Sequence, residues 1–325
     1  MIETFLHVGL PKCGSTTLQR HFARHEAAHL EHGVLYPETA RSPVGYRAHR
    51  PLLLAGRRLP ELARGIAEEA AAKGARTLVV SCEGFSAALP GDERGPAAAR
   101  ALADATGGLV RVIAWLRHPA DLAVSAFAQF ADEGLFGVDR ARFWAGGEGS
   151  VARYLRAFRE ARGRDLLSPL GHARAVADAF PGHEVVLRSA ESADLGRGLL
   201  ADFCAAFGVP RLPGPARRNR RLPARATALI VEAQERHGPA AYKSRRAALL
   251  PWLAAQSEDG FDPARLRLPA PEQLRLNDLL RAERPALAAL FATPVDALTA
   301  PRDPAPGRAE WLAQAEVAAL ARRMA

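Results

Sequence analysis

The N-terminal stretch of this chain is an apolar run, Thr4–Leu10, a tight loop, Pro11-Lys12-Cys13-Gly14-Ser15-Thr16-Thr17, and a polar run, Leu18-Gln19-Arg20-His21-Phe22. The apolar run is too short for a helix and apolar at consecutive positions, the pattern of a strand buried on both faces of a parallel sheet. Gly14 permits the tight turn, and a helix opens among three hydroxyl residues. Such a helix start leaves unpaired backbone N–H groups where the helix dipole favours an anion. Lys12 adds a point charge, and Ser15, Thr16 and Thr17 add hydroxyl donors. The segment predicts a nest for phosphate or sulfate.

Three further runs share the buried-strand pattern: Thr77–Cys82, Arg111–Leu116 and Glu184–Leu187. Helical stretches separate them at Thr16–Ala28, Pro60–Lys73, Pro96–Ala105, Pro119–Glu133 and Val151–Arg162, the last with a following segment to Phe180. This alternation predicts an α/β fold with a doubly wound, mainly parallel sheet. In such sheets ligands sit at the carboxyl ends of strands, where Gly14, Glu83 and Arg117 all fall. After Pro210 the character changes. Arg211–Pro223 reads as a Pro- and Arg-rich loop, Thr299–Gly307 as a linker or turn, and Ala224–Glu235, Ser244–Ala255, Pro271–Arg284 and Trp311–Met324 as helices. The expected division is an α/β core over 1–210 and a helical C-terminal extension over 211–325 packed on it.

Gly9 and Gly14 have the spacing of a P-loop, but Ser15 stands where the nucleoside-triphosphate loop needs lysine, and the lysine sits inside the loop at Lys12. The sequence Pro11-Lys12-Cys13-Gly14-Ser15-Thr16-Thr17 resembles the 5′-phosphosulfate loop of sulfotransferases that use 3′-phosphoadenosine 5′-phosphosulfate. A second match lies at Ile113-Ala-Trp-Leu-Arg117-His-Pro119, followed by Ser125. It resembles the family's 3′-phosphate motif, an Arg and a Ser separated by seven residues. Pro119 suits a first helical turn, and Arg117 offers a forked donor. The resemblance implies a P-loop-like sheet and a sulfuryl donor bound by Lys12, Cys13, Gly14, Ser15, Thr16, Thr17, Arg117 and Ser125. Two positions depart from it: Cys13 replaces a small hydroxyl residue or Ala, and Phe127 stands where many relatives carry Tyr. Cys13 is expected to contribute its backbone N–H. Its place beside Lys12 and a helix N-terminus would also suit a low-pKa thiol, beside the commoner reading of a small loop residue.

The Thr77–Cys82 strand runs into Glu83-Gly84-Phe85. A carboxylate leaving an apolar strand beside the loop suits a general base that deprotonates an acceptor hydroxyl or amine. The family uses either His or Glu for this, and the strand end resembles its Glu-bearing members; the other reading of Glu83 is a helix cap or structural ion pair. The resemblance assigns Lys12 to the charge building on the leaving phosphate. His49 is a second candidate base or acceptor contact, beside the plainer reading of a surface histidine. The run Arg217-Arg-Asn-Arg-Arg221 suits either the adenosine 3′-phosphate or an acidic acceptor, or simply a solvated basic loop.

With 44 Lys+Arg against 35 Asp+Glu the chain is basic, which suits anionic ligands and equally follows from its Arg-rich composition. Cys13, Cys82 and Cys204 match no zinc spacing and no disulfide framework, so a reducing cytoplasm is the natural setting and no metal is expected. No apolar run approaches the length of a membrane span, and no secretory signal is evident. Two other functions fit part of the pattern. A P-loop-like small-molecule kinase would read Thr77–Glu83 as its acid-ended strand, against the displaced lysine. A non-catalytic binder of nucleic acid or polyanionic glycan would use the basic balance, yet aromatics are only 6% of the chain and do not interleave with its Arg runs, so nucleic acid is not an expected partner. A small-molecule or glycan acceptor is the expected partner; its identity and the oligomeric state are not legible.

Overall fold

A computed structural model gives the structure of the chain. It describes residues 2–325 apart from 11, 44, 46, 86–92, 135–137, 214–221, 257–263, 305–311 and 313. The described residues divide into two compact units, Met1–His118 with Pro169–Arg217 and Glu283–Thr299, and Pro119–Ser168 with Arg218–Ala282 and Ala300–Ala325. The segment 119–168, expected with the sheet, thus groups with the helices that follow 218, because it shares their apolar core.

The first unit is α/β. Its strands β1 (Glu3–His7), β2 (Val34–Leu35), β3 (Thr77–Ser81), β4 (Val110–Leu116) and β5 (Glu184–Ser189) form one all-parallel sheet in the order β2-β3-β1-β4-β5. All four strands expected from the sequence are present. The additional edge strand β2 is two residues long, too short to carry a periodic signal. Central β1 buries Thr4, Phe5, Leu6 and His7, so that two polar side chains lie buried in the middle of the sheet beside the apolar pair. From β1 the chain leaves toward β2 on one side, whereas from β3 it crosses β1 to reach β4 on the other. Right-handed crossovers then place the β1–β2 connection and the later ones on opposite faces, the arrangement of a doubly wound sheet. The packing agrees: the helix Ser15–Arg24 meets the helix Leu199–Ala206, while Leu59–Ala72 meets Arg94–Thr106. The loop after β1 therefore stands at the switch point of the sheet, where ligand crevices form.

Register sets the height of the loops. His7 of β1 pairs with Ser81 of β3 and Ile113 of β4, and β4 continues through Ala114, Trp115 and Leu116. Those three residues raise the end of β4 by about 10 Å, alongside the loop that climbs from β1. Asp202 fixes this rim. Its carboxylate accepts from Trp115 Nε1 (2.7 Å) and from Arg188 Nε (2.8 Å), tying β4 and β5 to Leu199–Ala206.

The second unit is helical. Pro119–Glu133, Arg140–Ala145 and Val151–Arg162 pack Phe127, Phe130, Phe143, Trp144 and Tyr154 into an aromatic core with residues of Ala224–Ala254. The last helix is broken at Gly238 (φ 77°, ψ 162°), so the two helices expected there appear with a kink between them. Asp132 accepts from Tyr242 (2.8 Å) and from both arms of Arg246 (2.6 and 2.7 Å). Among the described residues no helix is long and apolar enough to cross a membrane.

Candidate functional site

The loop after β1 takes its shape from two left-handed residues. Lys12 has φ 70°, unusual for a side-chain-bearing residue, and Gly14 has φ 89° as the N-cap of the helix Ser15–Arg24. A Cβ at Gly14 would meet the Leu199 methyl, which would have to shift, so conformation favours glycine and space adds to it. Thr17 makes the first backbone bond of the helix, N–H to Gly14 O at 2.9 Å. The N–H groups of the preceding residues belong to the set that a helix start leaves without an internal partner. No acidic side chain occupies the first turn, and Gly14 provides no side-chain cap. The Ser15 hydroxyl is buried (3% exposed) and has no hydrogen-bond partner among the described residues. A buried hydroxyl donor beside the N–H groups of a helix start suits an anion.

Beneath the loop lies a polar seam that sequence reasoning missed. His7 Nδ1 and Ser81 Oγ are 2.7 Å apart, and Gln19 Nε2 donates to Ser81 Oγ and to Glu83 Oε2, both at 3.2 Å. Its members come from β1, β3, the loop-bearing helix and the turn after β3. Gly9 faces this seam: a Cβ there would lie 2.5 Å from His7 Nε2 and 3.0 Å from Ser15 Oγ. Burial lowers the His7 pKa to about 3, so its ring is neutral. His7 was hidden in an apolar run; the polar residue at a buried strand position was the available signal.

The structure brings most of the expected residues to one end of the sheet. The Arg117 backbone hydrogen-bonds the Cys13 thiol, and the charges of Arg117, Glu191 and Glu83 all act on it. Lys12 to Thr17, Glu83 and Arg117 therefore share a neighbourhood at the carboxyl ends of β1, β3 and β4. Glu191, unmarked in the sequence, accepts from the His118 N–H at 2.8 Å and orders the turn that follows Arg117. Ser125 lies half-buried on Pro119–Glu133, in the second unit. Phe127 is fully buried in that unit's core. The run Arg217–Arg221 lies outside the described residues.

Two expectations are overturned. Cys13 is not a low-pKa thiol: burial pushes it up to about 12, outweighing the lowering effect of Arg117. Its N–H also points back to Leu10 O at 3.4 Å. His49 is neither a surface residue nor an open base. It is fully buried, its Nε2 meets Pro37 O at 3.0 Å, its Nδ1 accepts from the Ser81 N–H at 3.1 Å, and burial lowers its pKa to about 4. Its work is to anchor the end of β3, from which Glu83 projects.

This set of groups can hold an anion between a helix start, a lysine and an arginine, with a carboxylate tethered beside it by Gln19. Comparison with family models, with curated proteins and with solved structures finds no match to this chain.

Proposed function

We propose that the protein is a sulfotransferase that moves a sulfuryl group from 3′-phosphoadenosine 5′-phosphosulfate to a hydroxyl or amine of a small-molecule or glycan acceptor. One observation carries the reading: Lys12 sits inside a left-handed turn at a helix start whose buried Ser15 hydroxyl is unpaired among the described residues, with Glu83 and Arg117 acting on the same loop thiol. The sequence resemblance supplies the donor, and the geometry is compatible with its anionic groups. A P-loop-like relationship of the sheet, and a cytoplasmic setting suited to the cysteine usage, belong to the same reading.

The donor provides an activated sulfuryl group; the chain's residues do the rest. Ser15, Thr16 and Thr17, with the helix-start N–H groups, hold the 5′-phosphate. In the sequence resemblance the 3′-phosphate motif falls on Arg117 and Ser125. As the acceptor attacks sulfur in line, the bond from sulfur to the bridging oxygen breaks, and Lys12 neutralises the charge gathering on that oxygen. Glu83 takes the acceptor proton. Gln19, donating to one oxygen of that carboxylate, restrains it beside the loop. A sulfuryl group carries less charge than a phosphoryl group, and the reading assigns no metal to the transfer.

A calorimetric titration with 3′-phosphoadenosine 5′-phosphate, with and without Mg²⁺, tests the donor site. Saturable binding indifferent to Mg²⁺ supports the reading; a requirement for Mg²⁺ and a nucleoside triphosphate would replace it with a small-molecule kinase. A screen of hydroxyl and amine acceptors with labelled donor follows, and binding without transfer to any of them would leave a non-catalytic polyanion binder.

A further inference from the structure

The imidazole of His7 takes no part in the transfer chemistry above, yet it sits directly beneath the residues that do. It is the last residue of β1 and pairs in register with Ser81, the last residue of β3. The ring is 1% exposed and stands edge-on to Trp115, ring centres 5.5 Å apart, with Phe203 at 5.8 Å. Trp115 is itself held by Asp202. On its other side the ring meets Gly9, where an added Cβ would press on Nε2. Nε2 has no hydrogen-bond partner among the described residues. A polar ring with an unpaired nitrogen at a buried strand position costs stability that an apolar side chain would not. Packing alone gives no reason for it.

We propose that His7 is a positioning residue: through Ser81 and Gln19 it holds the Glu83 carboxylate in the setting that proton transfer needs. The links are continuous. His7 Nδ1 lies 2.7 Å from Ser81 Oγ, and Gln19 Nε2 reaches Ser81 Oγ and Glu83 Oε2, each at 3.2 Å. An amide nitrogen has two hydrogens, so Gln19 serves both acceptors at once only with Nε2 turned toward them. The opposite flip would set its carbonyl oxygen against a carboxylate oxygen. Gln19 Oε1 has no partner among the described residues, so the seat of this amide rests on Nε2.

Ser81 is fixed in its turn. Its N–H donates to His49 Nδ1 at 3.1 Å, and its hydroxyl meets the His7 ring. Burial keeps that ring neutral, so the seam adds no second charge to compete with Glu83 for the Gln19 hydrogens. Without an imidazole at position 7 the Ser81 hydroxyl is free to turn, Gln19 loses the acceptor that steadies it, and the carboxylate gains freedom. The effect on rate rests on the sulfuryl-transfer reading; the effect on the contacts does not.

The test uses the full-length chain and two readouts. The first follows the side-chain amide hydrogens of Gln19 by nitrogen-15 magnetic resonance. In His7→Leu, and in Ser81→Ala, which cuts the same seam one link on, they should exchange with solvent about tenfold faster than in the unmutated chain. His7→Asn, which sets an amide near the place of Nδ1, should restore slow exchange. The second readout is transfer from labelled donor. His7→Leu and Ser81→Ala should lower kcat by about 10–100-fold, as a displaced catalytic group does. KM for the acceptor and affinity for 3′-phosphoadenosine 5′-phosphate should not change, and His7→Asn should recover most of the loss. Added to Glu83→Gln, His7→Leu should cost nothing further, because its effect passes through that carboxylate. Unchanged Gln19 exchange in His7→Leu and Ser81→Ala, or a full further loss of kcat in the Glu83→Gln background, would overturn the proposal. If the unmutated protein transfers to no acceptor, the sulfuryl-transfer reading falls, while Gln19 exchange still decides whether His7 holds the seam.

Discussion

Gln19 donates its side-chain amide to Glu83, Nε2 to Oε2 at 3.2 Å. The two residues belong to different strand–loop connections, yet Gln19 lies one helical turn from Ser15, on the helix that follows the loop after β1. One rigid element therefore carries the groups assigned to the donor and restrains the group assigned to the acceptor proton. That coupling is the basis of the first prediction.

Glu83→Gln is expected to lower sulfuryl transfer by roughly 10²–10⁴-fold, the range of a general base, while leaving affinity for 3′-phosphoadenosine 5′-phosphate unchanged. Lys12→Ala should also abolish turnover, and should weaken nucleotide binding as well. Labelled-donor assays beside calorimetry separate the two effects, and full activity in either variant would sink the role assignment.

Gly14→Ala introduces two faults: a left-handed conformation for a residue with a Cβ, and a 2.2 Å approach to Leu199. The backbone part alone costs about 1–2 kcal/mol. Adding Leu199→Ala should recover the steric share and leave the conformational share. Urea unfolding of the two single variants and the double variant measures both. Strict additivity would mean the two residues do not meet.

Acid should destabilise the protein through its buried imidazoles. Burial lowers His7 to about 3 and His49 to about 4, from an ordinary value of 6.5. Between those values and 6.5 the unfolded chain binds protons that the folded chain does not. Stability is therefore fully present above about pH 6.5 and declines as pH falls toward 4, by up to about 1.4 kcal/mol per pH unit for each ring. His21 and His29, both lowered to about 4, act in the same direction. Urea midpoints across this window should fall with pH, and His49→Gln should remove one proton from the slope. A midpoint flat from pH 6.5 to 4 would contradict the buried neutral assignments.

All three cysteines should be slow to react in the native state, since burial raises Cys13 to about 12 and Cys82 and Cys204 to about 11. A thiol-exchange reagent at pH 8 should label them at a small fraction of the rate seen in denaturant. Rapid labelling of Cys13 would show an exposed thiolate at the loop after β1 instead.

Much of the sheet was legible because parallel strands carry short runs of consecutive apolar residues, as in Phe5–Leu6, Leu78–Val80, Val112–Leu116 and Val185–Leu187. Val34–Leu35 was not, because two residues carry no period. The split of the first helix at His25 escaped notice for a related reason: its residues continue a helical pattern while the backbone there departs to φ −109°, ψ 24°.

The order of residues along the chain by itself determined the loop after β1: a strand, a lysine in the turn, a glycine and three hydroxyls are local, and local sterics and helix-end chemistry need nothing from afar. Glu83 and Arg117 were legible as strand-end residues for the same reason. Only the tertiary structure decided what surrounds them. Burial raised the Cys13 thiol that its neighbours in sequence would lower, and it closed both nitrogens of His49. Long-range packing placed Ser81 and Gln19 between His7 and Glu83, and carried Cys204 to His21 across 183 residues. Desolvation and hydrogen-bond partnership depend on what the rest of the chain brings to a point in space, which spacing along a sequence does not encode.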